Sequence, residues 1–277
     1  MTLMGPMTIG QTSMREKHMA GRLQDKVALI TGSDSGIGQG TAVEFAREGA
    51  DVVVTYNTDR KGAGVTRRQV EAAGRRAIVV KVDTSREASV KAMFDAAIKA
   101  FGTVDILVNN AGVDASGKDV ADLDTATWDR AIRTNLYGYF FCCRRFIQIR
   151  RDAKGGGKII NITSVHDEIP RAGASDYDCS KGGQQNLTRT LALELAPMRI
   201  NVNNIGPGMV LTPFNQKAVD NKAVLARDVE SIPWKRAAEP WEIGRLAVYL
   251  ASADADYVTG ATYYIDGGLM QNQGQGA

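Results

Sequence analysis

Three side chains between residues 164 and 181 have the types and spacing to move a proton. Ser164 closes an apolar run, Lys158-Ile159-Ile160-Asn161-Ile162-Thr163, that predicts a buried strand. Past Pro170 and Gly173 the pattern becomes helical, with Tyr177 and Lys181 four residues apart. That spacing sets a phenol and an ammonium on one helical face, one turn from each other. A hydroxyl at a strand end, a phenol and an amine can form a proton-transfer site.

Such a site needs elements to hold it. From Asp25 onward, apolar runs predict strands at Val27–Ile30, Ala50–Tyr56, Ala77–Val82, Val104–Val108, Lys158–Ser164, Arg199–Ile205 and Ala261–Ile265. Helical windows fall between them: a stretch to Glu48, Arg60–Ala73, Glu87–Phe101, Thr125–Arg150, Ser175–Leu195 and a last one through Leu250. Short buried strands alternating with helices read as α/β, a seven-stranded parallel sheet covered on both faces in a single domain. The connection Gly206–Pro240 exceeds ordinary loop lengths and has a helical middle around Lys222–Val229, so it reads as a small helical lid. Residues 1–23 carry methionines but no apolar signal core and read as a flexible N-terminal extension, leaving 24–277 as the domain.

Gly32, Gly36 and Gly38 lie between the first strand and the first helix, with Ser35 and Ile37 among them. Glycines there let the backbone turn sharply and approach a pyrophosphate at a helix amino terminus. The spacing G-x-x-x-G-x-G departs from the standard dinucleotide fingerprint. An adenosine ribose should then be read at the tip of the second strand, by Tyr56 and Asn57. That tip is neutral; Asp59 argues for NAD, Arg60 and Lys61 for NADP, and both cofactors stay open. Asp83, just past the third strand, is placed either for the adenine amino group or as a helix cap. In Asn109-Asn110-Ala111-Gly112 the two amides can tie strand ends together while Gly112 permits close approach to a cofactor. Asn135 sits beside the apolar stripe Trp128, Ile132, Leu136 and Phe140, and is a poor helix former. Its side chain could disrupt the local ladder and free a carbonyl to hold a water.

Composition excludes several classes. The 34 basic and 31 acidic residues are spread evenly with no block of like charge, so no nucleic-acid partner is expected. No apolar run approaches the ~18 residues of a membrane span. Cys142, Cys143 and Cys179 are odd in number and lack metal-ligand spacing, which predicts no metal site and a reducing, cytoplasmic compartment; Cys142 and Cys143 read as core thiols.

In order, Thr31-Gly32-x-x-x-Gly36-Ile37-Gly38, Asn109-Asn110-Ala111-Gly112, Asn135, Ser164, Tyr177-x-x-x-Lys181, Pro207-Gly208-x-x-x-Thr212, Tyr257-Val258-Thr259-Gly260 and Asp266-Gly267-Gly268 resemble the short-chain dehydrogenase/reductases over roughly residues 24–268. The resemblance implies a Rossmann-type, doubly wound sheet, NAD or NADP, hydride transfer between an alcohol and a carbonyl, and a homotetramer. It implies Tyr177 as general base or acid, with Ser164 on the substrate oxygen. Lys181 would stabilise the phenolate and hold the nicotinamide ribose, and Asn135 would position a water relaying protons from Lys181. Pro207, Gly208 and Thr212 would border the nicotinamide. A phenol of ordinary pKa ~10 is too weak a base near neutrality. Lowering it by two to three units takes about 3–4 kcal/mol, within reach of a close cation in a dry site.

The substrate is read from Ser164-Val165-His166-Asp167-Glu168-Ile169-Pro170 and Leu191-Ala192-Leu193-Glu194, which look like the glucose 1-dehydrogenases of that family. His166 and Asp167 could hydrogen-bond sugar hydroxyls in a polar pocket with Arg171, Asp176 and Asn215. Asp167 stands where those proteins carry Glu, and the Gln/Gly-rich tail Gln271–Ala277 also departs from them. The alternatives are a 3-oxoacyl-acyl-carrier-protein reductase or other carbonyl reductase, and a non-catalytic dinucleotide-binding regulator.

Overall fold

Alternate residues of the first strand part to opposite layers. In β1 (Val27–Ile30), Ala28 and Ile30 join one hydrophobic cluster and Val27 and Leu29 the other. β2 (Asp51–Tyr56) divides Val52 and Val54 from Val53 in the same way. Strands buried on both faces need a helical layer on each. The computed structural model describes residues 21–272 and supplies both layers. Seven parallel strands lie in the order β3 (Ala77–Lys81), β2, β1, β4 (Ile106–Asn109), β5 (Gly157–Ile162), β6 (Ile200–Pro207), β7 (Thr262–Ile265). α1 (Gly36–Arg47), α2 (Arg60–Ala72) and α9 (Pro240–Ala251) cover one face through Phe45, Val70 and Val248. α3 (Glu87–Phe101), α5 (Gly138–Asp152) and α6 (Ser175–Leu195) cover the other through Phe94, Phe146 and Leu191.

The chain leaves β1 toward β2 and β3, then returns to lay β4 against the other side of β1. This reversal opens a crevice at the carboxyl ends of β1 and β4, where doubly wound sheets bind ligands. A buried polar ladder crosses the sheet beside it. Asn109 Nδ2 donates to Asn161 Oδ1 (2.8 Å), Asn161 Nδ2 to Thr188 Oγ1 (2.7 Å), Thr188 Oγ1 to Asn204 Oδ1 (2.5 Å), and Asn204 Nδ2 to Thr262 Oγ1 (3.1 Å). Each member bonds to the next, which offsets most of the cost of burying these polar atoms, while Asn109 Oδ1 is left buried without a partner.

Four departures from the sequence expectations matter for the site. The helix expected over 125–150 is α4 (Thr125–Ala131) and α5 joined by one π-type turn, Ile132–Tyr137. β5 stops at Ile162 rather than Ser164, because the Ser164 hydroxyl turns back to accept from the His166 amide (3.2 Å) and caps a 3₁₀ turn. β6 runs on to Pro207, opposite Ile265 of β7 and past the end of β5, where the missing proline N–H leaves no ladder partner unpaired. Of the extension expected over 1–23, Leu23 is instead fully buried and its amide bonds to the Glu48 carbonyl (2.8 Å); residues 1–20, like 273–277 of the tail, lie outside the described residues.

The Gly206–Pro240 connection carries α7 (Gln216–Asp220) and α8 (Lys222–Asp228). Its ends are pinned where the Leu211 amide meets the Ala238 carbonyl and the Ala238 amide meets the Met209 carbonyl, both at 2.9 Å. Val229, Ile232 and Ala237 of this connection form a small separate cluster. Among the described residues no helix is long and apolar enough to cross a membrane, and no group of His, Cys, Asp and Glu could hold a metal ion.

Candidate active site

At the end of β1 the backbone turns on Gly32 (φ 62°) and Gly36 (φ 51°), a region L side chains rarely adopt. Gly38, in the first turn of α1, lies so close to this loop that a Cβ would stand 2.2 Å from the Gly32 carbonyl oxygen and 2.6 Å from Asn110 Nδ2. The loop is held from both neighbours. Gly32 N–H donates to Thr55 Oγ1 on β2 (2.9 Å), and Asn110 Nδ2, past β4, donates to the Thr31 and Gly32 carbonyls (2.9 and 2.8 Å). Ser35 precedes α1 without a side-chain cap, leaving the helix's first amides free. Backbone without side chains in front, plus free amides at a helix start, fits a pyrophosphate, so the loop suits a dinucleotide.

The loop forms one wall of a cleft of about 920 Å³ along the strand ends. Gly32, Ser35, Gly36, Ile37, Tyr56, Asn57, Asp83, Asn110, Gly112, Pro207, Gly208 and Thr212 line it, as do Ser164, His166, Tyr177 and Lys181. Gly38, Asn135 and Asp167 stand behind the wall. Asp83 does not cap α3, whose N-cap residue is Arg86; its Oδ1 accepts from the Ser85 amide (3.0 Å) and hydroxyl (2.6 Å) in the turn before that helix. Thr212 reaches over the glycine loop, where a Cβ on Gly36 would stand 3.1 Å from it.

α6 delivers Tyr177 and Lys181 to the floor of this cleft. The Lys181 ammonium donates to the Ile162 carbonyl (3.0 Å) and to Gln184 Oε1 (3.3 Å), and lies 5.3 Å from the centroid of the Tyr177 ring. Burial pushes the Tyr177 phenol up to about 12, while the neighbouring Ser164 hydroxyl pulls the other way. Burial brings Lys181 down to about 7 against the carboxylates of Asp167 and Asp114, which favour its charge. The lowering of the phenol expected from the sequence is not present in the chain by itself. Desolvation outweighs the help that Ser164 gives the phenolate and that Asp167 and Asp114 give the ammonium.

Asn135 is fully buried in the π-type turn. Its side chain clasps the Val113 backbone, Oδ1 accepting from the amide (2.8 Å) and Nδ2 donating to the carbonyl (3.0 Å), and Nδ2 also reaches Ser180 Oγ (3.1 Å). Its backbone carbonyl accepts from Gln184 Nε2 (2.5 Å), so a side chain takes one of its acceptor positions. No reading of the sequence singled out Gln184; its position three residues after Lys181 was the available signal.

The two expected sugar contacts part company. His166 Nδ1 lies 2.9 Å from the Ile169 carbonyl, which can only accept, so Nδ1 carries a proton and Nε2 is the nitrogen left for another partner. Asp167 turns away from the cleft: its Oδ1 accepts from the Tyr264 hydroxyl (2.7 Å) and its Oδ2 is buried without a partner. Burial raises its carboxyl above the usual range. Asp176 is likewise buried, taking the Tyr177 amide (2.9 Å) and the Ser116 amide (3.2 Å). Arg171 and Asn215 do reach the cleft.

Comparison with known proteins agrees with this geometry. A family model described as enoyl-(acyl carrier protein) reductase, of the short-chain alcohol dehydrogenase group, matches residues 32–270. The chain is 43% identical to 3beta-hydroxysteroid dehydrogenase 1 of Eggerthella lenta over 248 residues, 89% of this chain and 94% of that protein. It is 37% identical to glucose 1-dehydrogenase 2 of Bacillus subtilis over 249 residues, 89% and 95% of the two. The crystal structure of acetoin dehydrogenase from Enterobacter cloacae superposes with a TM-score of 0.84 at 36% identity, covering 92% of this chain and 99% of that one. The chain belongs to the short-chain dehydrogenase/reductase family. It is an oxidoreductase that acts on alcohol or carbonyl groups, and its family binds a nicotinamide dinucleotide.

Proposed function

We propose that this oxidoreductase acts on a secondary alcohol of a polyhydroxylated ring, a sugar such as glucose, with Tyr177 moving the hydroxyl proton. The observation that carries this reading is the Tyr177 phenol beside Ser164, one helical turn from Lys181 on the floor of the cleft. Ser164 holds the reacting oxygen, Tyr177 accepts its proton, and Lys181 stabilises the phenolate. A nicotinamide dinucleotide held by Gly32, Gly36, Pro207, Gly208 and Thr212 would supply the hydride acceptor and, when oxidised, a positive charge in the cleft. Nε2 of His166 and the amide of Asn215 suit ring hydroxyls. Met209, Phe214 and Leu269 give the same cleft an apolar wall. That wall favours a second reading, a carbonyl reductase for a largely apolar ring or acyl chain.

A panel of sugars, sterols, small ketones and 3-oxoacyl thioesters, run with both cofactors, separates the readings. Glucose oxidation is expected; turnover confined to thioesters or apolar ketones overturns the sugar assignment. Tyr177→Phe should lose about 10²–10⁴-fold in kcat. Unchanged turnover in that variant would remove Tyr177 from the mechanism.

The cofactor reading is NAD. Asp34 of the glycine loop lines the cleft beside Tyr56 and Asn57. Its carboxyl is raised by burial and by the neighbouring charge of Asp59. Arg60 and Lys61 do not line the cleft; its basic residues among those described are Arg130, Arg171 and Lys181, none from the loop or β2. A ribose hydroxyl can donate to a carboxylate there, whereas a 2′-phosphate would meet like charge. Asp34→Ser should raise kcat/KM for NADP relative to NAD by about tenfold or more. A wild-type preference for NADP would overturn the assignment. Family resemblance supports a homotetramer.

A further inference from the structure

Gln184 lies on α6 one turn beyond Lys181 and is fully buried. Its amide joins two groups from distant parts of the chain. Nε2 donates to the Asn135 carbonyl at 2.5 Å, and Oε1 accepts from the Lys181 ammonium at 3.3 Å. The orientation follows from the partners: an ammonium only donates and a carbonyl only accepts, so the amide can face them one way round. The Asn135 carbonyl is free for this bond because the helix widens into the π-type turn Ile132–Tyr137 at that point. Asn135 is fastened there by its side chain to the Val113 backbone.

We propose that Gln184 is a positioning residue that holds the Lys181 ammonium, through a fixed amide bridge to Asn135, in the place where the family resemblance put a mobile water. This rests on the proposed dehydrogenase reading of Tyr177 and Lys181. The bridge has two consequences. It supplies an acceptor to a cation that is otherwise held by the Ile162 carbonyl and the faces of Tyr139 and Tyr177. It also gives one acceptor position of the Asn135 carbonyl and one donor of the Lys181 ammonium to fixed amide contacts instead of leaving both to solvent. Asp167 and Asp114 are the charged groups that act on Lys181 from the neighbouring loops; on α6 itself Tyr177 faces it.

Two substitutions distinguish a bridge from simple packing. Gln184→Met keeps the volume but makes no hydrogen bond, leaving the Asn135 carbonyl and the ammonium unpaired. Gln184→Ala opens room for a water with those two polar partners. If Gln184 only packs, Met is the milder change; if it bridges, Ala is. The expected results for Gln184→Met are about a tenfold loss in kcat/KM for alcohol oxidation near pH 7 and a shift of its pH profile toward higher pH by about one unit. Gln184→Ala should keep a profile closer to wild type despite a lower melting temperature. The ligand-free protein gives an independent readout: ¹⁵N NMR of the lysine side chains should show Lys181 titrating at lower pH in Gln184→Met than in wild type. An unchanged Lys181 titration in Gln184→Met, or a larger shift in Gln184→Ala than in Gln184→Met, overturns the bridge. If wild type turns over no alcohol with either cofactor, the dehydrogenase reading fails, while the titration still decides whether Gln184 holds Lys181.

Discussion

Burial works on Lys181 and Tyr177 in opposite senses, and the sign can be followed into stability. Lys181 is lowered to about 7 in the folded chain from an ordinary lysine value near ~10.4 when unfolded. Between those values the unfolded state binds the extra proton, so this residue makes stability rise with pH across that window. Below pH 7 both states are protonated and the full cost of the buried charge is present. Lys181→Met removes the titrating group and also leaves the Ile162 carbonyl and Gln184 without their donor, a pH-independent loss. The variant should therefore be more stable relative to wild type at pH 6 than at pH 9, read from urea unfolding of the ligand-free protein. An equal difference at the two pH values would show that Lys181 does not titrate between them. Tyr177, raised to about 12, acts later and oppositely: it keeps its proton in the folded state while the unfolded phenol loses it above ~10, so stability falls there.

The elements were legible where one face or both faces are uniformly buried. β1 and β2 read directly from their apolar runs, and α3 and α6 match the predicted Glu87–Phe101 and Ser175–Leu195. Ends were less legible, because they depend on partners elsewhere: β6 continues through Gly206 and Pro207 only because β7 pairs with it there. The glycine loop makes a firm prediction at this scale. A Cβ on Gly38 would overlap the Gly32 carbonyl and Asn110, and both are backbone or pinned side chain, so α1 must shift. Gly38→Ala should cost about 1–3 kcal/mol in denaturant unfolding and weaken ADP-ribose binding measured by calorimetry. Binding and stability at wild-type levels would mean that the loop yields freely.

At the scale of the molecule, α5 and the turn before it present an aromatic face. Tyr137 and Phe140 are each 40% exposed or more, with Phe141 edge-on to Tyr137 (5.8 Å) and the Arg144 guanidinium 4.6 Å from the Phe140 ring centroid. If the proposed homotetramer uses this face, light scattering should give four subunits for wild type and fewer for Phe140→Glu, with the far-ultraviolet dichroism unchanged. A wild-type monomer would refute the assembly. The sequence by itself determined what is local. A four-residue step on a helix joins Tyr177 to Lys181, alternating burial makes parallel strands, and closely spaced glycines make a turn for a phosphate. The tertiary structure alone decided what depends on distant chain segments. It set Gln184 against Asn135 across 49 residues and turned Asp167 toward Tyr264 across 97, away from the substrate it was expected to meet. It also drove the two catalytic candidates toward their neutral forms, because desolvation is a property of everything packed around a group and no stretch of sequence contains it.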